Sequence, residues 1–247
     1  MSGGSRGIGA AVVRDLRAAG ASVYFTYLSA RDAAEALVRE CGAERTACER
    51  IDVADADSLP ALVERAVARF GRLDALVNNA GIFAENPFDG DDYGAWRDGW
   101  ARTFAVNLFG AADLAYLAMR AMRAQPPDAR GVRGRIVNVA SRAAHRGETT
   151  FADYGASKAA LVNLGKSIAR GAAKDGIVAF NVAPGFIATD MAAESLAASG
   201  AEIRAEIPSG RVGDPEEVAS IVTFLLSGGA DYASGTTIDV NGASYVR

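Results

Sequence analysis

Apolar residues along this chain fall into two patterns. Short, largely apolar runs occupy positions 22–27, 45–51, 75–78, 135–139, 178–182 and 237–240, as expected of strands buried on both faces of a sheet. Between them apolar residues recur every three or four positions, predicting helices over 7–20, 33–41, 59–70, 96–122, 154–174 and 216–226. The first helix opens in a glycine-rich turn, carries Ala11, Val12 and Leu16, and ends at Gly20; the last is opened by Asp214 and Pro215. Strands alternating with helices predict an α/β fold, a single doubly wound parallel sheet with helices on both faces. The polar, proline-bearing segment 125–133 reads as a surface excursion.

One place breaks the pattern. A buried central strand should precede the glycine-rich turn, yet only Met1 and Ser2 stand ahead of Gly3. Unpaired backbone groups on the neighbouring strands would cost on the order of 1–3 kcal/mol each. A few further residues are therefore expected ahead of Met1.

Composition narrows the function. Half of the 247 residues are hydrophobic and 23% are charged, an ordinary ratio for a chain that buries its own core. No shift in composition marks a linker, so residues 1–247 are expected to form one domain. Lys and Arg total 26 against 30 for Asp and Glu, a formal charge of -4. That balance argues against nucleic acid as a partner and for a small ligand. Cys41 and Cys48 are too far apart for a Cys-x-x-Cys pair and no histidine cluster accompanies them, so no metal is expected. With no basic-then-apolar leader and no uncharged apolar run of about 18 residues, the expected location is cytoplasmic, off the membrane.

Residues 2–9 read Ser-Gly-Gly-Ser-Arg-Gly-Ile-Gly. Glycines let a strand-to-helix turn approach a pyrophosphate, whose charge the helix N-terminus favours; alone, the stretch also suits an ordinary flexible turn. In dinucleotide sites the next strand ends on an acid that binds the ribose 2′-hydroxyl, or a basic residue replaces it where a 2′-phosphate is bound. Here that strand ends Phe25-Thr26-Tyr27-Leu28 without an acid, while Arg6 and Arg31 supply guanidinium groups. NADP(H) is thus expected over NAD, the alternative being that both arginines are solvated and Asp32 caps a helix.

Tyr154 and Lys158 stand four apart in a helical pattern and so project from one face. A phenol with its ordinary pKa of about 10 is a poor base at neutral pH. A cation roughly 5 Å away, at an effective dielectric of about 20, favours the phenolate by about 3 kcal/mol, or about two pKa units. The same spacing also suits a surface pair. Ser141 follows the strand at 135–139, which puts its hydroxyl at the carboxyl end of the sheet, either to polarise a carbonyl or to form a turn.

In this order the parts resemble the short-chain dehydrogenase/reductase family from Gly3 to Gly242. The family's Thr-Gly-x-x-x-Gly-x-Gly opening is met with Ser2 in place of Thr, and its Asn-Asn-Ala-Gly motif by Asn78, Asn79, Ala80 and Gly81. Its catalytic asparagine and serine match Asn107 and Ser141, its Tyr-x-x-x-Lys matches Tyr154 and Lys158, and its Pro-Gly turn matches Pro184 and Gly185. The resemblance implies a Rossmann-type fold and an NADP(H)-dependent oxidoreductase interconverting a ketone and a secondary alcohol by hydride transfer. It implies that Gly3, Ser5, Arg6, Gly7, Ile8 and Gly9 meet the cofactor, with Arg31 at the 2′-phosphate and Asp52 and Val53 at the adenine. Ala80 and Gly81, with Asn79, would line the ribose pocket; Ile187 and Thr189, after Pro184 and Gly185, would hold the nicotinamide carboxamide. Tyr154 would protonate the carbonyl oxygen that Ser141 hydrogen-bonds. Lys158 would bind the nicotinamide ribose and lower the tyrosine pKa, and Asn107 would hold a water linking the lysine to solvent.

Segment 188–207 is similar to the family's substrate lid, although an amphipathic surface helix accounts for it equally. The only histidine, His145, either touches substrate or stands by. Residues 181–191 are most similar to members that reduce 3-oxoacyl groups on acyl carrier protein. Against that, Asp175 stands where those members carry a basic docking residue, with Lys174 and the arginines of 130–135 nearby. A sugar, a polyol or another ketone stays open as substrate, as does a non-catalytic NADP-binding protein on the same fold. The helices at 96–122 and 154–174 resemble those through which family members assemble, implying a homotetramer; Leu114, Leu117 and Leu164 on them equally suit a core.

Overall fold

A computed structural model describes the backbone of residues 1–247 and every side chain except those of residues 194 and 195. The strands are β1 (Val23–Tyr27), β2 (Thr46–Arg50), β3 (Ala75–Asn78), β4 (Gly134–Val139), β5 (Ile177–Pro184) and β6 (Thr237–Val240). The helices are α1 (Gly7–Ala18), α2 (Arg31–Cys41), α3 (Leu59–Phe70), α4 (Tyr93–Phe104), α5 (Gly110–Arg123), α6 (Ala152–Gly171), α7 (Asp190–Ala205) and α8 (Pro215–Leu226). Every strand pairing is parallel. Buried strands alternate their side chains between two layers: Ile136 and Ala179 pack with Leu59, Leu114, Met122 and Ile168 of α3, α5 and α6, while Val137, Phe180 and Val182 pack with Val12, Val218 and Val222 of α1 and α8. This is the doubly wound arrangement that the alternating pattern predicts.

β1 pairs with β2, and β3, β4, β5 and β6 pair in sequence order. Between β1 and β3 runs only the chain start. Thr26 N–H donates to Met1 O at 2.9 Å, Gly4 N–H to Thr26 O at 2.8 Å and Ser2 N–H to Val77 O at 3.0 Å. Beside this short stretch lies a cavity of about 40 Å³, lined among others by Met1, Tyr24, Leu62 and Leu76. The sheet is thus two parallel ribbons joined through residues 1–4, at the position where the sequence called for a whole strand.

The helix expected over 96–122 is divided. α4 and α5 meet in a π-helical turn, Ala105–Phe109, which takes up one extra residue without breaking the helix. The turn carries Asn107 inward, and Gly110 then passes so close to Val53 that a Cβ would overlap its carbonyl. Segment 188–207 is mostly helical, as α7, with Ser199 departing to φ −136°, ψ 29°. Among the described residues, no helix is long and apolar enough to cross a membrane.

Candidate active site

The carboxyl ends of β1, β3, β4 and β5 open into one cleft of about 950 Å³, the place where open parallel sheets bind ligands. The glycine turn forms part of its lining. Gly3 has φ +66°, and a Cβ there would stand 2.9 Å from Ala80 Cα; on Gly9 it would overlap the Gly3 carbonyl. Side chains are thereby kept out of the turn. Ser2 Oγ accepts from the N–H groups of Asn79 at 3.0 Å and Ala80 at 3.1 Å, and Asn79 Nδ2 donates to Gly3 O at 2.7 Å. The Ser2 hydroxyl, standing where the family motif has threonine, thus ties the turn to the end of β3.

α1 starts directly behind this turn. Its cap, Arg6, gives no side-chain bond to the first turn, which also holds no acidic residue. Orphaned N–H groups behind a cradle of glycines fit the pyrophosphate of a dinucleotide. Every residue read above as cofactor-contacting lines this cleft except Arg31. Arg31 is exposed and its Nε donates to Glu35 at 2.7 Å, one helical turn on. The (i, i+4) acid was the competing signal, and in this structure it holds the guanidinium. Arg6 faces Asp190 of α7 at 3.7 Å.

Ser141, Tyr154 and Lys158 come together on the same cleft. Ser141 caps a short 3-10 turn beyond β4, its Oγ accepting from Ala143 N–H at 3.1 Å. Lys158 is buried, donates from Nζ to Val139 O at 2.9 Å, and lies 5.7 Å from the centroid of the Tyr154 ring. Burial pushes its ammonium down to about 8. The expected depression of the tyrosine pKa does not emerge: burial pushes the phenol up, the nearby Ser141 hydroxyl acts the other way, and Glu148 adds to the rise. Desolvation of a phenolate outweighs the one hydrogen bond that favours it.

Asn107 lies just beneath the cleft. Its Oδ1 accepts from Ile82 N–H at 2.8 Å, and its Nδ2 donates to Ile82 O and Ser157 Oγ, each at 3.1 Å. Those bonds engage the side chain in fixing the 81–82 turn, and leave it little capacity to hold the expected water. His145 is not part of the cleft lining and stacks on Tyr245, with ring centroids 6.0 Å apart.

Sequence reasoning missed three supports. Asp153 is 1% exposed; its Oδ2 accepts from Thr103 Oγ1 at 2.8 Å and Asn86 Nδ2 at 3.3 Å, and its Oδ1 from Tyr154 N–H at 2.8 Å. It pins the start of α6 to α4 and to the loop after β3. Phe83 stacks on Phe151 at 3.9 Å and meets the Tyr154 ring edge-on at 4.9 Å. Arg142, beside Ser141, is buried at the cleft wall. A carboxylate just before Tyr154 and a cation just after Ser141 were visible in the sequence, but nothing local signalled their burial.

A family model described as enoyl-(acyl carrier protein) reductase matches residues 3–243. The chain belongs to the short-chain dehydrogenase/reductase family. Among curated relatives, the 3-oxoacyl-(acyl-carrier-protein) reductase of Escherichia coli is 37% identical over 246 residues, covering 100% of this chain and 96% of that protein. The enzyme of the same name from Staphylococcus aureus is 36% identical over 248 residues, covering 100% and 97%. Among solved structures, a short-chain dehydrogenase/reductase from Brucella melitensis, titled a glucose/ribitol dehydrogenase, superposes with TM-score 0.90 at 35% identity, covering 100% of this chain and 95% of that one. A double mutant of a Serratia marcescens short-chain dehydrogenase/reductase gives TM-score 0.88 at 35% identity, covering 99% and 96%. As a short-chain dehydrogenase/reductase the chain is an oxidoreductase.

Proposed function

We propose that this oxidoreductase is an NADP(H)-dependent enzyme interconverting a small ketone and a secondary alcohol, with Tyr154 as proton donor and acceptor. The observation that carries the reading is that Ser141, Tyr154 and Lys158 line the same cleft as the glycine turn and the open end of α1. When bound, the nicotinamide supplies or accepts the hydride. In reduction, Tyr154 gives its hydroxyl proton to the carbonyl oxygen, which Ser141 Oγ also hydrogen-bonds. The raised phenol pKa suits an acid that keeps its proton until the carbonyl arrives. Lys158 has one N–H on Val139 O and two left for hydroxyl groups in the cleft, and its charge favours the phenolate left after transfer. Asn107 serves as a positioning residue through Ile82 and Ser157.

NADP(H) over NAD is supported by the end of β1, where Leu28, Ser29 and Ala30 line the cleft without a carboxylate, and by Arg6 on the glycine turn. Exposed Arg31 is held to Glu35 only by a solvent-screened surface pair, so a 2′-phosphate can recruit it. Residues 188–207 act as the lid in this reading, within one domain spanning 1–247. Thr189, Asp190, Met191 and Ala192 line the cleft, and the break at Ser199 gives α7 a hinge.

The relatives named for acyl carrier protein raise that substrate class, but the surface beside Asp175 argues for free small molecules. Asp175 is held by Arg123 Nε at 2.7 Å, Arg133 donates to Asp175 O at 3.1 Å, and Arg130 donates to Gly228 O. Arg135, partly buried, pairs with Asp128 at 2.9 Å and Asp231 at 2.7 Å. The basic cluster of 130–135 is therefore largely spent on internal bonds, leaving little positive surface for an acidic carrier. Assembly into a homotetramer is supported by exposed Phe109 and Tyr116, and a cytoplasmic location by the free thiols Cys41 and Cys48.

The test is Tyr154→Phe, followed by NADPH oxidation over a panel of ketones and by NADPH binding through its fluorescence. Loss of at least about a thousandfold in kcat with binding retained is expected. Turnover within tenfold of the parent would refute the assignment.

A further inference from the structure

Arg142 holds a charge that the reaction as derived does not use. It follows Ser141, lines the cleft, and is only 5% exposed. Among the described residues its Nη1 has no hydrogen-bond partner. Its guanidinium lies over the Phe186 ring, 4.7 Å from the centroid, and Phe186 lines the cleft as well. The acids nearby are turned elsewhere: Arg146 takes Glu148 at 3.6 Å and Glu206 at 3.9 Å. A buried guanidinium with an orphaned donor is costly, and the face of one phenyl ring offsets only part of that cost. What the site lacks is an anion whose oxygens would take the guanidinium's unpartnered N–H groups, as a carboxylate does.

Resting on the carbonyl-reductase reading above, we infer that Arg142 binds the carboxylate of an oxo-acid substrate whose carbonyl lies against Ser141 and Tyr154. Because Arg142 and Ser141 are sequence neighbours, the carboxylate and the carbonyl belong to the same small molecule, a few bonds apart. Burial lowers the Arg142 pKa, as it does for a cation waiting for its counter-ion. The same feature disfavours a neutral thioester in this position.

The experiment compares 2-oxo, 3-oxo and 4-oxo acids with their own methyl esters, in the parent, Arg142→Met and Arg142→Lys. In the parent, kcat/KM for at least one acid should exceed that for its ester by roughly 10- to 100-fold, the worth of a hydrogen-bonded charge. In Arg142→Met this ratio should fall to near one, and Arg142→Lys should lie between, having charge without the fork. Malonate provides a readout without turnover: with NADP⁺ present it should raise the melting temperature of the parent and not of Arg142→Met. Esters reduced as well as acids in every pair, or a ratio that survives Arg142→Met, would overturn the inference while leaving the reductase reading in place. No turnover of any pair, even with Arg142-dependent malonate binding, would overturn the oxo-acid inference, while the ketone panel above decides the reductase reading separately. Failure of malonate binding as well would remove the anion site with it.

Discussion

Lys158 keeps its ammonium at 4% exposure, with Val139 O as its hydrogen-bond acceptor, and that placement has a thermodynamic signature. Its pKa falls from 10.5 to about 8 on folding. Below pH 8 folded and unfolded chains both hold the proton, and the buried cation costs the fold about 3 kcal/mol. Between about 8 and 10.5 only the unfolded chain holds it, so stability rises with pH through that window. Lys158→Met removes the titration, so its stability relative to the parent should decline by about 2 kcal/mol between pH 7 and pH 9.5. Urea unfolding at each pH measures it, and a difference independent of pH would mean that Nζ is solvated. Spacing alone put Tyr154 and Lys158 on one helix face. It could not convey the phenol's surroundings, since Phe83, which meets its ring edge-on, comes from the loop after β3 and the ring's burial is a property of the whole fold. Arg31 shows a different limit: its local partner Glu35, four residues on, was legible in the sequence, but which partner holds the guanidinium depends on what fills the cleft.

Between elements, the sheet beneath the cleft is held by a row of amides. Asn78, Asn138 and Asn181 are register partners on β3, β4 and β5. Asn78 Nδ2 donates to Asn138 Oδ1 at 3.0 Å, and Asn138 Nδ2 to Asn181 Oδ1 at 3.2 Å. All three are buried, and α6 lies so close over the row that a Cβ on Gly165 would overlap Asn181 Oδ1. Removing the middle amide leaves Asn181 Oδ1 without its donor and Asn78 with one acceptor fewer, in a space that water does not fill without strain. Asn138→Ala should therefore cost about 2–4 kcal/mol, against under about 0.5 kcal/mol for the exposed Asn163→Ala on α6. Denaturant midpoints compare the two, and equal losses would show the row to be dispensable. Strands and most helices were legible because the period of their apolar residues is a local property. The π-helical turn at Ala105–Phe109 was not, because the contacts around it, Gly110 on Val53 and Asn107 on Ile82, join residues distant in sequence.

For the whole molecule, the alternation of strands and helices was enough to specify a doubly wound parallel sheet, since buried parallel strands need helices on both faces. It also located the weak seam between β1 and β3, where residues 1–4 do the pairing. What the pattern left undecided was which apolar residues face the core and which face outward. Leu114 is buried, whereas Phe109 and Tyr116, seven positions apart and thus on nearly the same side, are each 58% exposed. Two large apolar side chains, each contributing about 1.5–3 kcal/mol when buried, are used twice across a two-fold contact. Their gross contribution of about 6–12 kcal/mol is comparable with the roughly 4–15 kcal/mol lost in association. An interface through this face thus depends on both residues. In light scattering the parent should run at four times the 25.6 kDa chain, and Phe109→Glu with Tyr116→Glu should fall to dimers or monomers at micromolar concentration while keeping the parent's circular dichroism. A monomeric parent would refute the tetramer, and a double variant that stays tetrameric would place the assembly surface elsewhere.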